Sequence, residues 1–429
     1  MRVYDYPAEK PELMAKFAKA EQRDNSVDAI VANIINEVRA HGDDAVFDFT
    51  EKFDKVRLTP ETVKADPAVC AAAWEKLDPD LRDALVYAAN GIREFHARQL
   101  PESFTLTRPN GTRLTQRIRP LRRVGVYVPG GRATYPSTVL MNVIPAQVAG
   151  VKDIVMVTPP VHGDPTCFTP FACAHMLGIA DNVYTVGGAQ AVAALAFGTK
   201  TLERVDKVVG PGNAFVACAK RMLYGIIDID SVAGESEVLI IADKTANPAF
   251  IAADLFAQAE HTGNETVVLL GIGADFDFEA VEKQIAAQIA TAPRRVQIES
   301  TLSKNSFFVR VPDAETAIEV ANAKAPEHLE ILAENDAAIA EKIDAVGAIF
   351  LGPWTPEPVG DYVAGPNHVL PTGGTARFFS PLGVDSFLKR SNVLCYNENS
   401  FAEAAPHTIA LAANEGLFAH ANAVKIRQK

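Results

Sequence analysis

Apolar positions along the chain change texture near residue 124. Before it, Val27, Ile30, Val31, Ile34, Ile35 and Val38 recur at helical spacing after Ser26, and His41-Gly42 stops the run. The spacing predicts further helices over 43–53 and 79–98. Residues 1–24 are polar, with Pro7 and Pro11, and read as an arm with one short helix. This opening third shows no catalytic cluster, and His41 and His96 read as solvated.

From Val124 onward, short apolar runs alternate with helical stretches. Strands are expected at 124–128, 153–157, 183–186 and 207–209, with helices from Tyr135 toward Gly150, then over 168–177, 191–197 and 214–223. A second set has strands at 237–241, 266–270, 306–311 and 348–351, and helices over 247–261, 278–290 and 313–323. Such alternation predicts an α/β fold, with parallel sheets covered by helices on both faces. After Ser380 the pattern weakens into a mostly helical tail. The expected division is an arm (1–24), a discontinuous α/β domain (25–123, helical, plus 236–380), a second α/β domain (124–235) and a tail (381–429).

Composition narrows the function. A net charge of −12 with no basic stripe argues against nucleic acid or an anionic membrane as partner. Five scattered cysteines without a C-x-x-C suit reduced thiols in the cytoplasm. No apolar stretch approaches the ~18 residues of a membrane span, so a soluble protein is expected.

Three strands of the 124–235 region end in glycine loops that open helices: Pro129-Gly130-Gly131-Arg132, Gly187-Gly188-Ala189-Gln190 and Gly210-Pro211-Gly212-Asn213. Such loops admit close backbone approach and aim helix N-termini at anions, so a phosphate-bearing cofactor is one reading and plain tight turns the other. The fingerprint G-x-G-x-x-G is absent; after Gly271-Ile272-Gly273 the third glycine is replaced by Phe276.

Elsewhere the polar residues suggest metal and proton chemistry. Gln258 and His261, three apart near the end of the helix over 247–261, share a face, about 5–6 Å apart at Cβ, and could grip one metal ion or simply be solvated. Asp361, in a Gly/Pro-rich stretch at 352–374, could complete such a site; His368 nearby reads as ordering its loop. Glu327-His328 sets a competent base beside a proton shuttle. Glu415 and His420 lie in the tail, where a lone histidine is usually solvated.

Taken together, GVYVPGG (125–131), GGAQAVAAL (187–195), GPGN (210–213), SEVL (236–239), QAEH (258–261), APEHL (325–329), NHVLPT (367–372) and the stretch 415–420 closely resemble histidinol dehydrogenase, in that family's order and across essentially the whole chain. The resemblance implies two incomplete Rossmann-like parallel-sheet domains in an interlocked homodimer. It implies a zinc- and NAD-dependent, two-step, four-electron oxidation of L-histidinol through L-histidinal to L-histidine, the last stage of histidine biosynthesis. The implied zinc ligands are Gln258, His261, Asp361 and, from the partner chain's tail, His420. Glu327 would be the general base and His328 its companion. Tyr127, Gln190 and Asn213 would line the NAD site. Ser236, His328, Asp361 and Glu415, with Gln258, His261 and His420, would touch substrate.

No cysteine falls in a matching motif, so no thiol intermediate is expected. Glu235 departs from the family's usual proline, and its side chain is expected to face solvent. Two other readings stand beside this one. A relative acting on another alcohol, such as a sulfonated propanediol, would want extra Arg or Lys near these positions, and none is there. A non-catalytic nucleotide-sensing protein would leave the Glu-His and metal residues incidental.

Overall fold

The computed structural model describes residues 2–20, 25–130 and 135–428. Gly131 and Arg132 of the first glycine loop, and residues 21–24 of the arm, lie outside the described residues. Among the described residues two parallel sheets carry the fold. The first runs Val3–Asp5, Ser306–Val311, Thr266–Ile272, Glu237–Ala242, His328–Leu332, Ala348–Leu351. The second runs Val183–Tyr184, Asp153–Val157, Arg123–Tyr127, Lys207–Val209, Asp228–Ile229.

Both share one logic. The first strand of each α/β run, Glu237–Ala242 or Arg123–Tyr127, lies inside the sheet; two strands step outward on one side, and the chain then crosses to the other. Such a crossing opens a crevice beside the inner strand. The arm adds residues 3–5 as an extra edge of the first sheet, and its helix Lys10–Ala20 buries Leu13 and Phe17 there.

Strand side chains alternate between faces, and here both faces are covered. Val124, Val126, Ile154 and Met156 enter one core of the second sheet; Val155, Val157 and Val208 enter the other. That two-sided burial explains the unbroken apolar strands. Residues 28–97, grouped with 236–380 on sequence, bury Ile92 and Cys70 in the first of these cores and Val31 and Ile34 in the second. Their apolar faces therefore cover the second sheet.

Four local features differ from expectation. An antiparallel sheet joins Phe104–Thr107, Arg113–Pro120 and Leu388–Cys395, so the opening third is not purely helical and the tail begins with a strand. These strands are largely exposed, which removes the apolar alternation that marks a half-buried strand. His328 opens a fully buried strand, His328–Leu332, that the strand pattern does not include. The helix expected to reach His261 is Pro248–Ala259. Beyond it the chain turns sharply: Thr262 and Gly263 N–H groups donate to Glu265 at 2.6 and 2.8 Å, with Gly263 at φ +94°. Finally, His96 is buried, its Nδ1 2.8 Å from the Ile92 carbonyl oxygen, whereas His41 is exposed.

Candidate active site

Three elements of the first sheet's layer each contribute two polar side chains at their natural repeat. Asp254 and Gln258 stand one turn apart on helix Pro248–Ala259. His328 and Glu330 stand two apart on strand His328–Leu332, on the face opposite to Leu329 and Ile331, which enter the other core. Glu357 and Asp361 stand one turn apart on the short helix Glu357–Tyr362, within the Gly/Pro-rich stretch 352–374.

They converge. Ligating atoms of His328, Glu357 and Asp361 lie within 4.8 Å of one another. The Gln258 amide, with its nitrogen turned to Glu357, donates to both carboxylate oxygens at 2.9 Å. Glu330 accepts from the Glu357 N–H at 2.8 Å, fixing the start of the short helix. The cluster sits at the amino ends of strands Glu237–Ala242 and His328–Leu332, beyond which Glu327 and Ser236 lie. Ligands in open α/β sheets usually sit at the opposite, carboxyl ends.

Glu327, just before the strand, accepts from the Glu237 N–H at 3.0 Å and lies 3.7 Å from His328 Nδ1. That nitrogen in turn donates to the Glu237 carbonyl oxygen at 3.0 Å. His328 Nε2 is thereby aimed at Asp361 Oδ1, 3.7 Å away, and is buried without a hydrogen-bond partner. Beneath, Lys324 pairs with Glu237.

Burial and charge set the protonation states. Burial pushes Glu327 up to about 8, with the His328 charge opposing. Burial likewise pushes Glu357 up to about 7 and Asp254 up to about 6, and carries Glu330 well above the carboxylate range with Asp254 adding to it. For His328 burial would lower the pKa, but the Glu357, Glu327 and Asp361 charges outweigh it and hold the ring well above its ordinary value. For Asp361 burial raises, yet the neighbouring His328 imidazole, with the His368 and His261 charges, wins, and its pKa falls. Burial lowers His368.

This donor set suits a divalent cation. Several carboxyls are gathered in one desolvated place, where unpaired charge is costly. His328 Nε2 lacks a hydrogen-bond partner, and imidazole and carboxylate are both competent zinc donors.

The structure thus unites Gln258, His328 and Asp361, with Glu327 adjoining and exposed His261 close enough for its charge to act on Asp361. Ser236 is part-buried at the head of strand Glu237–Ala242. Glu415, just past helix Glu398–Asn414, and His420, on helix Phe418–Lys425, are exposed, and among the described residues neither forms a hydrogen bond or ion pair with the cluster through its side chain. Glu235 is exposed, as expected, and accepts from Thr262 Oγ1 at 3.2 Å. Sequence reading missed Asp254, Glu330 and Glu357. The signal for the first two is a lone acid inside an apolar run; for Glu357 it is the four-residue spacing to Asp361.

A second feature lies at the crevice of the second sheet. A cavity of about 570 Å³ is lined by Tyr127, Gln190 and Asn213, together with Asp54, His162 and Phe215. The Tyr127 hydroxyl accepts from the Gly188 N–H at 3.0 Å, and burial pushes its pKa up to about 12. Gln190 is buried with its Oε1 unpartnered. Asn213 caps helix Ala214–Leu223, accepting from the Phe215 and Val216 N–H groups at 3.1 and 3.2 Å.

These two sites can be set beside known proteins. The sequence profile of the family described as histidinol dehydrogenase matches residues 17–428. A histidinol dehydrogenase of Heliobacterium mobile is 48% identical over 406 residues, 94% of each chain. One of Aquifex aeolicus is 46% identical over 420 residues, 98% of this chain and 96% of its own. A crystal structure of histidinol dehydrogenase from Elizabethkingia anophelis superposes with a TM-score of 0.90 at 35% identity, covering 100% of this chain and 98% of that one. On profile, sequence and architecture alike, the chain belongs to the histidinol dehydrogenase family, oxidoreductases of histidine biosynthesis.

Proposed function

We propose that this chain carries L-histidinol through L-histidinal to L-histidine, reducing two NAD molecules, at the cluster around His328. The supporting observation is the convergence of Gln258, Asp361 and His328 beside a glutamate whose pKa is pushed up to about 8. Gln258, His261 and Asp361, with His420 of a second copy, would hold one zinc per chain; when bound, zinc supplies a fixed Lewis-acid anchor for the nitrogens of an amino alcohol, and NAD the hydride acceptor. Tyr127, Gln190 and Asn213 would line the NAD pocket, and Ser236 and Glu415 would contact substrate.

The chain's own residues account for the proton steps. With its pKa pushed up to about 8, Glu327 exchanges a proton readily close to neutral pH, and its ionised form can accept the hydroxyl proton in the first oxidation and that of the attacking water in the second. His328, anchored through Nδ1 to the Glu237 carbonyl oxygen, presents Nε2 to the site and passes the proton on. The free cysteines are Cys70, Cys167, Cys173, Cys218 and Cys395, and none belongs to this cluster. No helix of the described residues is long and apolar enough to cross a membrane. A cytoplasmic homodimer with shared active sites is part of the same proposal.

The test is stoichiometric. Zinc-loaded protein given L-histidinol should form two NADH per molecule consumed, with histidine as product. A yield of one, ending at the aldehyde, or no turnover at all, rejects the proposal.

A further inference from the structure

Beneath the Gly210–Asn213 loop lies a buried ion pair that does not line the cavity. Lys220, in the last turn of helix Ala214–Leu223, pairs with Asp230, just past the edge strand Asp228–Ile229; the two side chains are 3% and 5% exposed. Between them they hold both polar groups of a single residue. Asp230 Oδ2 accepts from the Gly210 N–H at 2.7 Å, and Lys220 Nζ donates to the Gly210 carbonyl oxygen at 2.8 Å.

Gly210 needs such an anchor. Its φ is +108°, and a Cβ there would stand 2.2 Å from the Tyr127 carbonyl oxygen. The loop backbone therefore rests directly on the Tyr127 peptide, and the Tyr127 hydroxyl in turn receives the Gly188 N–H. Contacts run unbroken from the ion pair through Gly210 to two of the glycine loops that frame the cavity. Three residues on, Asn213 has its side-chain oxygen committed to the cap of the helix that carries Lys220. Stability alone gives little reason for burying two charges here, since apolar replacements of a buried pair are often neutral or stabilising.

We infer that Lys220 and Asp230 are positioning residues of the dinucleotide pocket. They lock Gly210 against Tyr127 and so hold Tyr127, Gly188 and Asn213 in the arrangement that receives the cofactor. The inference rests on the reading of the cavity as the NAD site.

The test measures the NAD dissociation constant by calorimetry on zinc-loaded protein, with KM and kcat for both substrates. Asp230→Ala should weaken NAD binding about tenfold or more, leaving the histidinol KM within about twofold and kcat within a few-fold. Asp230→Asn, which keeps an acceptor for Gly210, should recover most of the loss. If Asp230→Ala fails to fold, the apolar pair Lys220→Met with Asp230→Leu serves in its place, and should fold yet still bind NAD weakly. Normal NAD binding by folded Asp230→Ala or by the apolar pair overturns the inference, as does an equal loss in histidinol KM. Gln190→Ala separates the two layers. Unchanged NAD binding there removes the cavity reading and the inference with it. Weakened binding there, with Asp230→Ala normal, removes the inference alone.

Discussion

A carboxyl held at about 8 is divided between acid and base near neutral pH, whereas an exposed glutamate is almost wholly base. That division suits a group that takes and returns a proton in each turnover, and it has a consequence for stability with a definite sign. Glu327, Glu357 and Asp254 sit at about 8, 7 and 6, all raised, so folding favours their protonated forms. Their contribution is complete below the unfolded carboxylate range and is lost as pH climbs through the folded values. His328, also raised, loses its contribution in the same direction, while His96 and His368, lowered by burial, gain with rising pH. The larger group wins, so Tm of metal-free protein should fall between about pH 5 and pH 8, each tenfold change in proton affinity on folding corresponding to about 1.4 kcal/mol. Glu327→Gln, neutral at every pH, should flatten part of that slope and lower turnover by about 10² or more. A melting temperature that stays level over this range, identical in wild type and variant, contradicts the raised carboxyls.

At the scale of elements, the glutamate owes its place to a neighbouring strand. The Ala348 N–H donates to the Glu327 carbonyl oxygen at 2.9 Å and the Gly347 N–H to that of Pro326 at 3.0 Å. A Cβ on Gly347 would stand 2.5 Å from the Glu327 carbonyl oxygen, and backbone cannot swing aside as a flexible side chain can. Gly347→Ala should therefore displace Glu327, lowering kcat roughly tenfold or more with NAD affinity unchanged; steady-state kinetics beside direct NAD titration check it, and wild-type kcat in the folded variant refutes it. How these elements register in sequence depends on what interrupts their period. Strands such as Glu237–Ala242 and Thr266–Ile272 are legible because both faces are apolar. His328–Leu332 is equally buried, yet His328 and Glu330 break its apolar run, and the chemistry that makes it interesting hides it. The exposed antiparallel sheet carries no apolar alternation to read. Asp361 is visible as a lone loop carboxylate, but Glu357 becomes its companion only once the stretch is known to be helical. On spacing alone Gln258 and His261 form one helical pair; the helix ends at Ala259, short of His261, and Asp254 stands one turn before Gln258.

The whole molecule uses two sheets of like strand order in opposite senses. The second sheet opens its cavity at the carboxyl ends of Arg123–Tyr127 and Lys207–Val209, as the crevice rule requires; the first gathers its polar cluster at the amino ends. The tail's first residues, Leu382, Val384 and Phe387, are buried in a core of the second sheet, but its helices Glu398–Asn414 and Phe418–Lys425 join neither sheet. Phe418 is 79% exposed and Leu411 67%, and Trp354, shortly before the helix bearing Glu357 and Asp361, is 83% exposed. Such exposure leaves these side chains free to meet a neighbouring chain. If that chain is a second copy, each active site takes Gln258, His261 and Asp361 from one subunit and His420 from the other, and a two-fold arrangement makes both sites alike. The consequence can be measured with two variants that are each inactive, His261→Asn and His420→Asn. In a heterodimer of the two, one site carries both lesions and the other carries neither. Co-expressed under different tags and purified through both, that heterodimer should show about half the wild-type turnover and one zinc per dimer instead of two. If each chain instead folded its own tail into its own site, every site would keep one lesion and the heterodimer would be as inactive as its parents. That outcome would leave the exposed tail without a catalytic role in a neighbouring subunit.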